Sequence, residues 1–123
     1  MPSLSKRGTP RTEMPGREWH ADLDGYSVSI VEVDADTDLT PLLAGLPGDT
    51  CPSPHWGYMF KGRTWWRHAD KLEEFGPGEA FYVEPGHTSG ADAGSEFVTF
   101  SPSEILAEVQ AHMIKRAQEL FAH

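Results

Sequence analysis

Four short runs of β-branched and aromatic residues constrain the fold of this chain most. They are HWGYMF, TWWRHA, AFYVEP and EFVTF, and all lie between residues 55 and 100. The intervening segments KGR, ADKLEEFGPG and GHTSGADAGS are polar or rich in glycine, as turns are. A further alternating run, GYSVSIVEV at residues 25–33, predicts a strand before them. Several short strands joined by turns, with no intervening helix, predict an all-β antiparallel sandwich or barrel.

The composition agrees with this expectation. The 123 residues include 12 Gly and 10 Pro, which favour many short elements over a helical bundle. Four Trp, six Phe and three Tyr supply large side chains for a core. A chain of this length suits one domain with one core.

Charge and cysteine content exclude several classes of partner. The net charge of −9 disfavours binding to nucleic acid or to anionic lipid, both of which need a basic surface. No apolar run approaches the roughly 20 residues of a membrane span, and the N-terminus lacks the apolar region of a secretory signal. The single cysteine cannot form an internal disulfide, which fits a reducing compartment. We therefore predict a cytoplasmic protein without nucleic-acid or membrane partners.

The two ends of the chain differ from its middle. Residues 1–18 are polar and rich in proline, glycine and basic residues, which predicts a flexible N-terminal arm. Residues 103–123 predict a C-terminal amphipathic helix, with an N-cap at Ser101 and a proline and a glutamate in its first turn. Residues 19–102 form the predicted β-domain. Apolar residues recur at three- and four-residue spacing along the helix: Ile105, Leu106, Val109, Met113, Ala117, Leu120 and Phe121.

The acidic run DADTD, residues 34–38, resembles the start of a calcium-binding loop. An EF-hand needs glycine at its sixth position and glutamate at its twelfth, where this chain has Leu39 and Gly45. We therefore exclude a calcium loop. Asp38 is instead predicted to be the N-cap of a short helical turn over LTPLLAGL, which Gly45 ends.

The segment from about Gly48 to Pro102 resembles the cupin family, the small jelly-roll β-barrels. The first cupin motif has two His one residue apart, a Glu after three or four residues, and a Gly after six more. If Gly62 is that glycine, His55 takes the Glu position, and Cys51 and Asp49 take the two His positions. In the family, the two His and the Glu of this motif, together with a third His from the second motif, hold one divalent metal inside the barrel.

The second cupin motif has a Gly, five residues, Pro-x-Gly, two residues and a His. GEAFYVEPGHT is similar to it, with Glu84 in place of the usual proline. Without a gap the His position is Ser89, whereas with a loop two residues shorter it is His87. PHWGYxxKG, then PGHT, then a terminal helix is also similar to small stand-alone actinobacterial cupins.

The resemblance implies a jelly-roll barrel with a pocket at its inner mouth. Strand alternation puts His55 and Met59 on one face and Tyr58 on the other, and the family register turns His55 inward. The predicted metal ligands are His55, His87 and Cys51, and both His are candidate catalytic groups. Predicted ligand-binding residues are Tyr58, Met59, Trp66, Tyr82 and Glu84. The remaining histidines, His20, His68, His112 and His123, show no ligand spacing and are predicted to be on the surface.

Two classes of function remain open. One is a metal-assisted enzyme that acts on a small organic molecule with Zn, Fe, Mn or Ni. The other is a metal-free binder or sensor with an aromatic-lined pocket. The many aromatic residues also predict a homodimer, since exposed aromatics mark interfaces as readily as pockets.

Overall fold

The computed structural model describes residues 3–6, 11–13 and 16–121. These residues form ten strands, two α-helices and one 3-10 turn. The strands are β1 (Arg11–Glu13), β2 (Gly16–Leu23), β3 (Tyr26–Val33), β4 (Thr37–Asp38), β5 (His55–Lys61), β6 (Thr64–Arg67), β7 (Leu72–Phe75), β8 (Ala80–Val83), β9 (Thr88–Ala91) and β10 (Glu96–Pro102). The helices are α1 (Thr40–Leu43) and α2 (Ser103–Phe121), and the 3-10 turn is Pro47–Asp49.

The strands build two antiparallel sheets. The larger sheet has the order β1-β2-β3-β10-β5-β8, and the smaller has the order β4-β9-β6-β7. The last strand, β10, lies between β3 and β5, so distant parts of the chain meet in the middle of the larger sheet. The predicted jelly-roll with a C-terminal helix is confirmed. The closed barrel is not, because no strand pairing among the described residues joins the two sheets.

Two strands lie in segments that were predicted to be turns. β7 has only four residues and pairs only with β6 among the described strands, so it lacks a long alternating run. β9 has the sequence TSGA, whose small residues have low strand propensity. Gly90 is required there, because a Cβ atom would collide with the Trp65 ring on the neighbouring strand. Tertiary packing therefore selects this strand against its local propensity.

The N-terminal boundary of the β-domain differs from the prediction. Residues 11–13 and 16–18 lie in β1 and β2, within the predicted arm of residues 1–18. At the other end, Ser101 is not a helix N-cap, because β10 continues through Pro102, which is paired with Tyr26 of β3. Helix α2 begins only at Ser103, whose backbone N–H donates to the Gly25 carbonyl.

Asp38 also differs from its prediction. It lies at the end of β4, and Leu39 is the N-cap of α1. Its carboxylate still accepts a hydrogen bond of 2.9 Å from the Thr40 backbone N–H. Asp38 therefore satisfies a free backbone donor at the start of the helix, although it lies one residue before the N-cap and not at the N-cap itself.

Two groups of buried residues form the core. One lies between the sheets and contains Met59, Trp66, Phe81 and Val83. The other joins the helices to the 51–55 segment and contains Leu43, Cys51 and Val109. Val109 belongs to the predicted apolar stripe and is 2% exposed, whereas Leu120 of the same stripe is 41% exposed. No helix in the described part of the chain has the length and apolar character needed to cross a membrane.

Candidate metal centre and cavity

A cavity of about 530 Å³ lies between the larger sheet, the smaller sheet and the two helices. This volume is typical of sites for small organic molecules. One end contains Cys51, His55 and His87, and the helices contribute mainly aliphatic side chains. The aliphatic residues are Leu39, Leu42, Leu43, Leu106, Val109, Met113 and Ile114.

Cys51, His55 and His87 form a compact group of metal-binding side chains. One donor atom of each lies within 4.8 Å of the other two, and all three residues are buried. The rings of His55 and His87 have their centroids 5.0 Å apart, at an angle of 62°. The Trp66 ring contacts both imidazoles, with centroid distances of 5.4 Å and 5.1 Å. The three predicted metal ligands therefore converge at one point.

His55 begins strand β5 and points toward the cavity. Nδ1 lies 2.6 Å from the Ser101 hydroxyl on the adjacent strand β10. Burial, and to a smaller extent the neighbouring His87, lowers the pKa of His55 to about 3. The imidazole is therefore neutral at physiological pH, which is the form that binds a metal.

His87 comes from the loop before β9, a strand of the smaller sheet, whereas His55 comes from the larger sheet. The Cys51 backbone N–H donates to the His87 carbonyl at 2.8 Å, and the Gly86 N–H donates to the Cys51 carbonyl at 2.8 Å. The His87 Nδ1–H donates to the Glu84 carbonyl at 2.8 Å. In the neutral ring the lone pair is consequently on Nε2, as in a metal-binding histidine held by a backbone carbonyl. Burial lowers the pKa of His87 as well.

Cys51 completes the group. Its Sγ lies 3.6 Å from Nε2 of His55, and burial raises the pKa of the thiol. A cysteine nucleophile activated by histidine needs the thiolate–imidazolium pair to be favourable. Burial acts against both charged forms here. A bound cation would compensate for this cost, because it would stabilise the thiolate.

The predicted ligand-binding residues have different outcomes. Trp66 lines the cavity. Met59 faces the same side of β5 as His55 but is fully buried in the core, where its Sδ accepts a hydrogen bond from the Thr64 hydroxyl. Met59 therefore does not line the cavity, because Phe97 and Thr64 lie at the cavity wall in its place.

Tyr58, Tyr82 and Glu84 lie outside the cavity. Tyr58 and Tyr82 are on the outer face of the larger sheet and are 40% and 49% exposed. Alternation along β5 and β8 causes this, since the inward positions belong to Met59 and Phe81. The Glu84 side chain is exposed and forms an ion pair of 3.2 Å with Lys71. Only its backbone carbonyl reaches the centre. The predicted aromatic lining of the cavity is therefore reduced to Trp66 and Phe97.

Asp49 and Ser89 can also be assigned. Asp49 is exposed, and its carboxylate accepts a hydrogen bond from the Gly45 N–H. It is not part of the group of metal-binding side chains, although it falls at a His position of the cupin motif. Ser89 lines the cavity, but His87 is the residue that reaches Cys51 and His55. The gapped alignment of the second motif is thus the one that matches the site.

Four residues at or beside the cavity had not been predicted as site residues. Ser101 was predicted to be a helix N-cap, His20 and His68 were predicted to be on the surface, and Glu18 was placed in the N-terminal arm. Ser101 contacts His55 directly, and Glu18 and His20 line the cavity from β2. In GREWHADL the apolar residues Trp19, Ala21 and Leu23 alternate with Glu18 and His20, so periodicity would have put both polar residues on the outer face. In EFVTFSP, Ser101 shares its face with Phe97, but a small polar residue carries no core signal. His68 was predicted to be on the surface and is instead buried, with its ring centroid 5.9 Å from that of His87.

The other two histidines predicted to be on the surface have separate outcomes. His112 is half-buried on α2, and its Nε2–H donates to the Ala44 carbonyl at 2.7 Å. His123 lies outside the described residues.

No protein-family model and no curated protein sequence matches this chain. Solved structures do match it. The polyketide cyclase RemF from Streptomyces resistomycificus has a TM-score of 0.58 and 17% identity, covering 83% of this chain and 79% of that one. An RmlC-like cupin from Shewanella frigidimarina has a TM-score of 0.54 and 15% identity, covering 80% and 87%.

The Bacillus subtilis oxalate decarboxylase, described with Mn(II) centres, is a further match. It has a TM-score of 0.57 and 15% identity, covering 78% of this chain and 28% of that one. The resemblance to cupins is therefore confirmed at the level of the fold. Enzymes are among the proteins that share this fold.

Proposed function

We propose that this protein binds a small organic molecule in the cavity between its sheets, next to a divalent metal ion held by Cys51, His55 and His87. One observation carries the proposal: three buried metal-binding side chains converge within 4.8 Å on a cavity large enough for such a molecule. Three protein donors are the number found in catalytic zinc sites, where a fourth position is left to water or substrate.

The donor set favours zinc among the four metals considered. A thiolate with two imidazoles suits zinc, whereas manganese prefers carboxylate, carbonyl and water ligands. The group contains no carboxylate. Iron and nickel accept imidazole and remain compatible. The Mn(II) centres described for oxalate decarboxylase belong to that protein and do not fit this donor set well.

The residues around the centre would prepare it for a metal-assisted reaction. A bound cation would polarise a carbonyl or hydroxyl oxygen of the substrate as a Lewis acid. Ser101 holds the His55 ring, and the Glu84 carbonyl holds the His87 ring, so both imidazoles keep one orientation. Aliphatic side chains of α1 and α2 exclude water from the same space. The occurrence of enzymes on this fold supports the proposal by analogy.

A metal-free binder is the second candidate. It is favoured by the apolar lining of the cavity, to which Trp66 and Phe97 contribute aromatic rings. In that case the imidazoles would act as hydrogen-bonding groups toward the ligand. Metal content separates the two functions.

We also propose that the protein is a homodimer in the cytoplasm. Six large apolar side chains are exposed on the outer face of the larger sheet, and a second copy would cover them. They are Tyr26, Trp56, Tyr58, Phe60, Tyr82 and Phe100, and we refer to them as the outer aromatic face. The cytoplasmic assignment is supported by the free Cys51 thiol.

Elemental analysis of untagged protein, purified without chelator, tests the metal centre. We expect close to one equivalent of zinc in the wild type and a loss of most of it in His55→Gln and in His87→Gln. His112→Gln is the matched control, because His112 lies outside the group. A wild-type protein that takes up no divalent metal, even after incubation with zinc, would contradict the proposal and favour the metal-free binder.

A further inference from the structure

We infer that the cavity takes an elongated, mainly apolar ligand with an oxygen-bearing group at one end and a protonated amine at the other. The oxygen-bearing end would face the centre of Cys51, His55 and His87, and the amine would face Glu18. This inference rests on the proposed function, since it assumes that the centre binds one end of the ligand.

Glu18 provides the distal polar group. It is the one Asp, Glu, Lys or Arg among the described residues that line the cavity, and it faces inward from β2. Within the described part of the chain, its carboxylate has no hydrogen bond or ion pair with another residue. A half-buried carboxylate without a partner favours a ligand that brings a donor or a positive charge.

His20 lies two residues from Glu18 on the same face of β2 and also lines the cavity. Its Nε2–H donates to the Asp22 carboxylate at 3.2 Å, and its Nδ1 accepts from the Ser29 hydroxyl at 3.0 Å. Both ring nitrogens are therefore occupied, and His20 offers the ligand only its ring face. Glu18 remains as the group that selects the chemistry of the distal end.

The strand register gives the length of the ligand. β2 and β5 are three strand spacings apart in the larger sheet, which corresponds to roughly 14 Å. Glu18 pairs with Val31, and Ser101, which lies beside His55, is four residues further along β10 than the partner of Val31. That adds roughly 13 Å along the strand direction. Since the side chains at both ends reach into the cavity, an extended chain of about twelve carbons would connect the two.

The side chains that line the cavity between its two ends determine how polar the middle of the ligand can be. The helices cover it with leucine, valine and methionine, and Val31 and Phe97 line it from the sheet. Because no lysine or arginine among the described residues lines the cavity, an acid at the distal end would be buried next to Glu18 without compensation. An α,ω-diacid should therefore be rejected, and an ω-amino acid preferred.

Isothermal titration calorimetry with the zinc-loaded protein tests this inference. The probes are dodecanoate, 12-aminododecanoate and dodecanedioate, with the zinc content measured on the same samples. We expect 12-aminododecanoate to bind about tenfold more tightly than dodecanoate, and dodecanedioate to bind more weakly than either. Glu18→Gln should abolish the preference for the amine. Glu104→Gln, an exposed carboxylate on α2 outside the cavity, should leave it unchanged.

The outcomes distinguish failure of the amine preference from failure of the metal centre. If zinc is bound but the amine preference is missing, or persists in Glu18→Gln, this inference is overturned and the proposed metal centre stands. Failure of all three probes to bind the zinc-loaded protein has the same meaning. If no zinc is bound, the proposed function fails, and this inference fails with it.

Discussion

The hydroxyl of Ser101 lies 2.6 Å from Nδ1 of His55, on the strand next to it in the larger sheet. Ser101 is 1% exposed, so the pair is shielded from solvent. With the Ser101 hydroxyl as acceptor, Nδ1 carries the proton and Nε2 faces Cys51 with its lone pair. Ser101 therefore holds His55 in the orientation that the proposed centre requires.

Ser101→Ala should weaken zinc binding by about 10- to 100-fold, because the His55 ring loses the partner that orients it. The fold should be retained, since an alanine fits the space of a serine. Competition with a chromogenic chelator measures the zinc affinity, and circular dichroism checks the fold. Ser103→Ala is the matched control, because Ser103 donates to no metal-binding residue and lies near Ser27 instead. Equal zinc affinity in both variants would show that Ser101 has no positioning role.

Zinc binding at pH 7.5 should release one proton per metal ion. Burial raises the pKa of the Cys51 thiol and lowers the pKa values of His55 and His87, so among the three protein ligands only the thiol has a proton to lose at this pH. Calorimetric titrations in two buffers with different heats of ionisation give the number of protons. Cys51→Ser should release nearly none, because a serine hydroxyl keeps its proton. Zero release by the wild type would indicate that the thiolate does not bind the metal.

The metal-free protein should lose stability as the pH falls from 7 toward 3. The unfolded chain binds a proton at His55 near pH 6.5, but the folded chain binds it only near pH 3. Between these values protonation favours the unfolded state, so the free energy of unfolding decreases with decreasing pH. At pH 4.5, His55 alone should lower the free energy of unfolding by about 2–3 kcal/mol relative to pH 7.5. His87 acts in the same direction.

Urea denaturation at pH 7.5 and 4.5 measures this pH dependence. His55→Gln removes the titrating group, so its free energy of unfolding should fall about 2–3 kcal/mol less between the two pH values than that of the wild type. The free energy of unfolding of His112→Gln should decrease as much between the two pH values as that of the wild type. A wild-type pH dependence in His55→Gln would mean that His55 is not the buried neutral group described here.

Substitutions on the outer aromatic face should dissociate the proposed dimer. Tyr58→Glu and Tyr82→Glu introduce charges where two apolar surfaces would meet, and an unpaired charge in an interface is costly. Sedimentation equilibrium should then report a monomer. Leu72→Glu is the control, since Leu72 is 48% exposed on the other sheet and should not change the mass. A wild-type protein that is already monomeric would disprove the dimer.

Local patterns were sufficient for much of the fold. Alternation along HWGYMFK put His55 and Met59 on one face and Tyr58 on the other, as in the structure, and the resemblance turned the first face inward. The spacing of apolar residues predicted α2, including the buried Val109. The resemblance to the second cupin motif, and not a local pattern alone, indicated His87 as a site residue. Such predictions succeed because they depend on the two-residue period of strands, the 3.6-residue period of helices and the turn preferences of proline and glycine.

Other features depended on contacts between distant residues. Ser101 was interpreted as a helix cap because Ser-Pro-x-Glu is a common helix start, but pairing with β3 extends the strand through Pro102. β9 has no strand propensity of its own and exists because Gly90 fits under Trp65. His68 is buried by neighbours that its own segment does not reveal.

The sequence by itself therefore determined the class of fold, the alternating faces of β5 and the apolar stripe of α2, because these follow from the period of neighbouring residues. Only the tertiary structure decided that His87 from a loop meets His55 and Cys51, that Ser101 holds His55, and that Glu18 shares their cavity. These residues are up to 83 positions apart along the chain. Their proximity results from the order of strands in two sheets and from the packing of α2 over the opening, which no local pattern encodes.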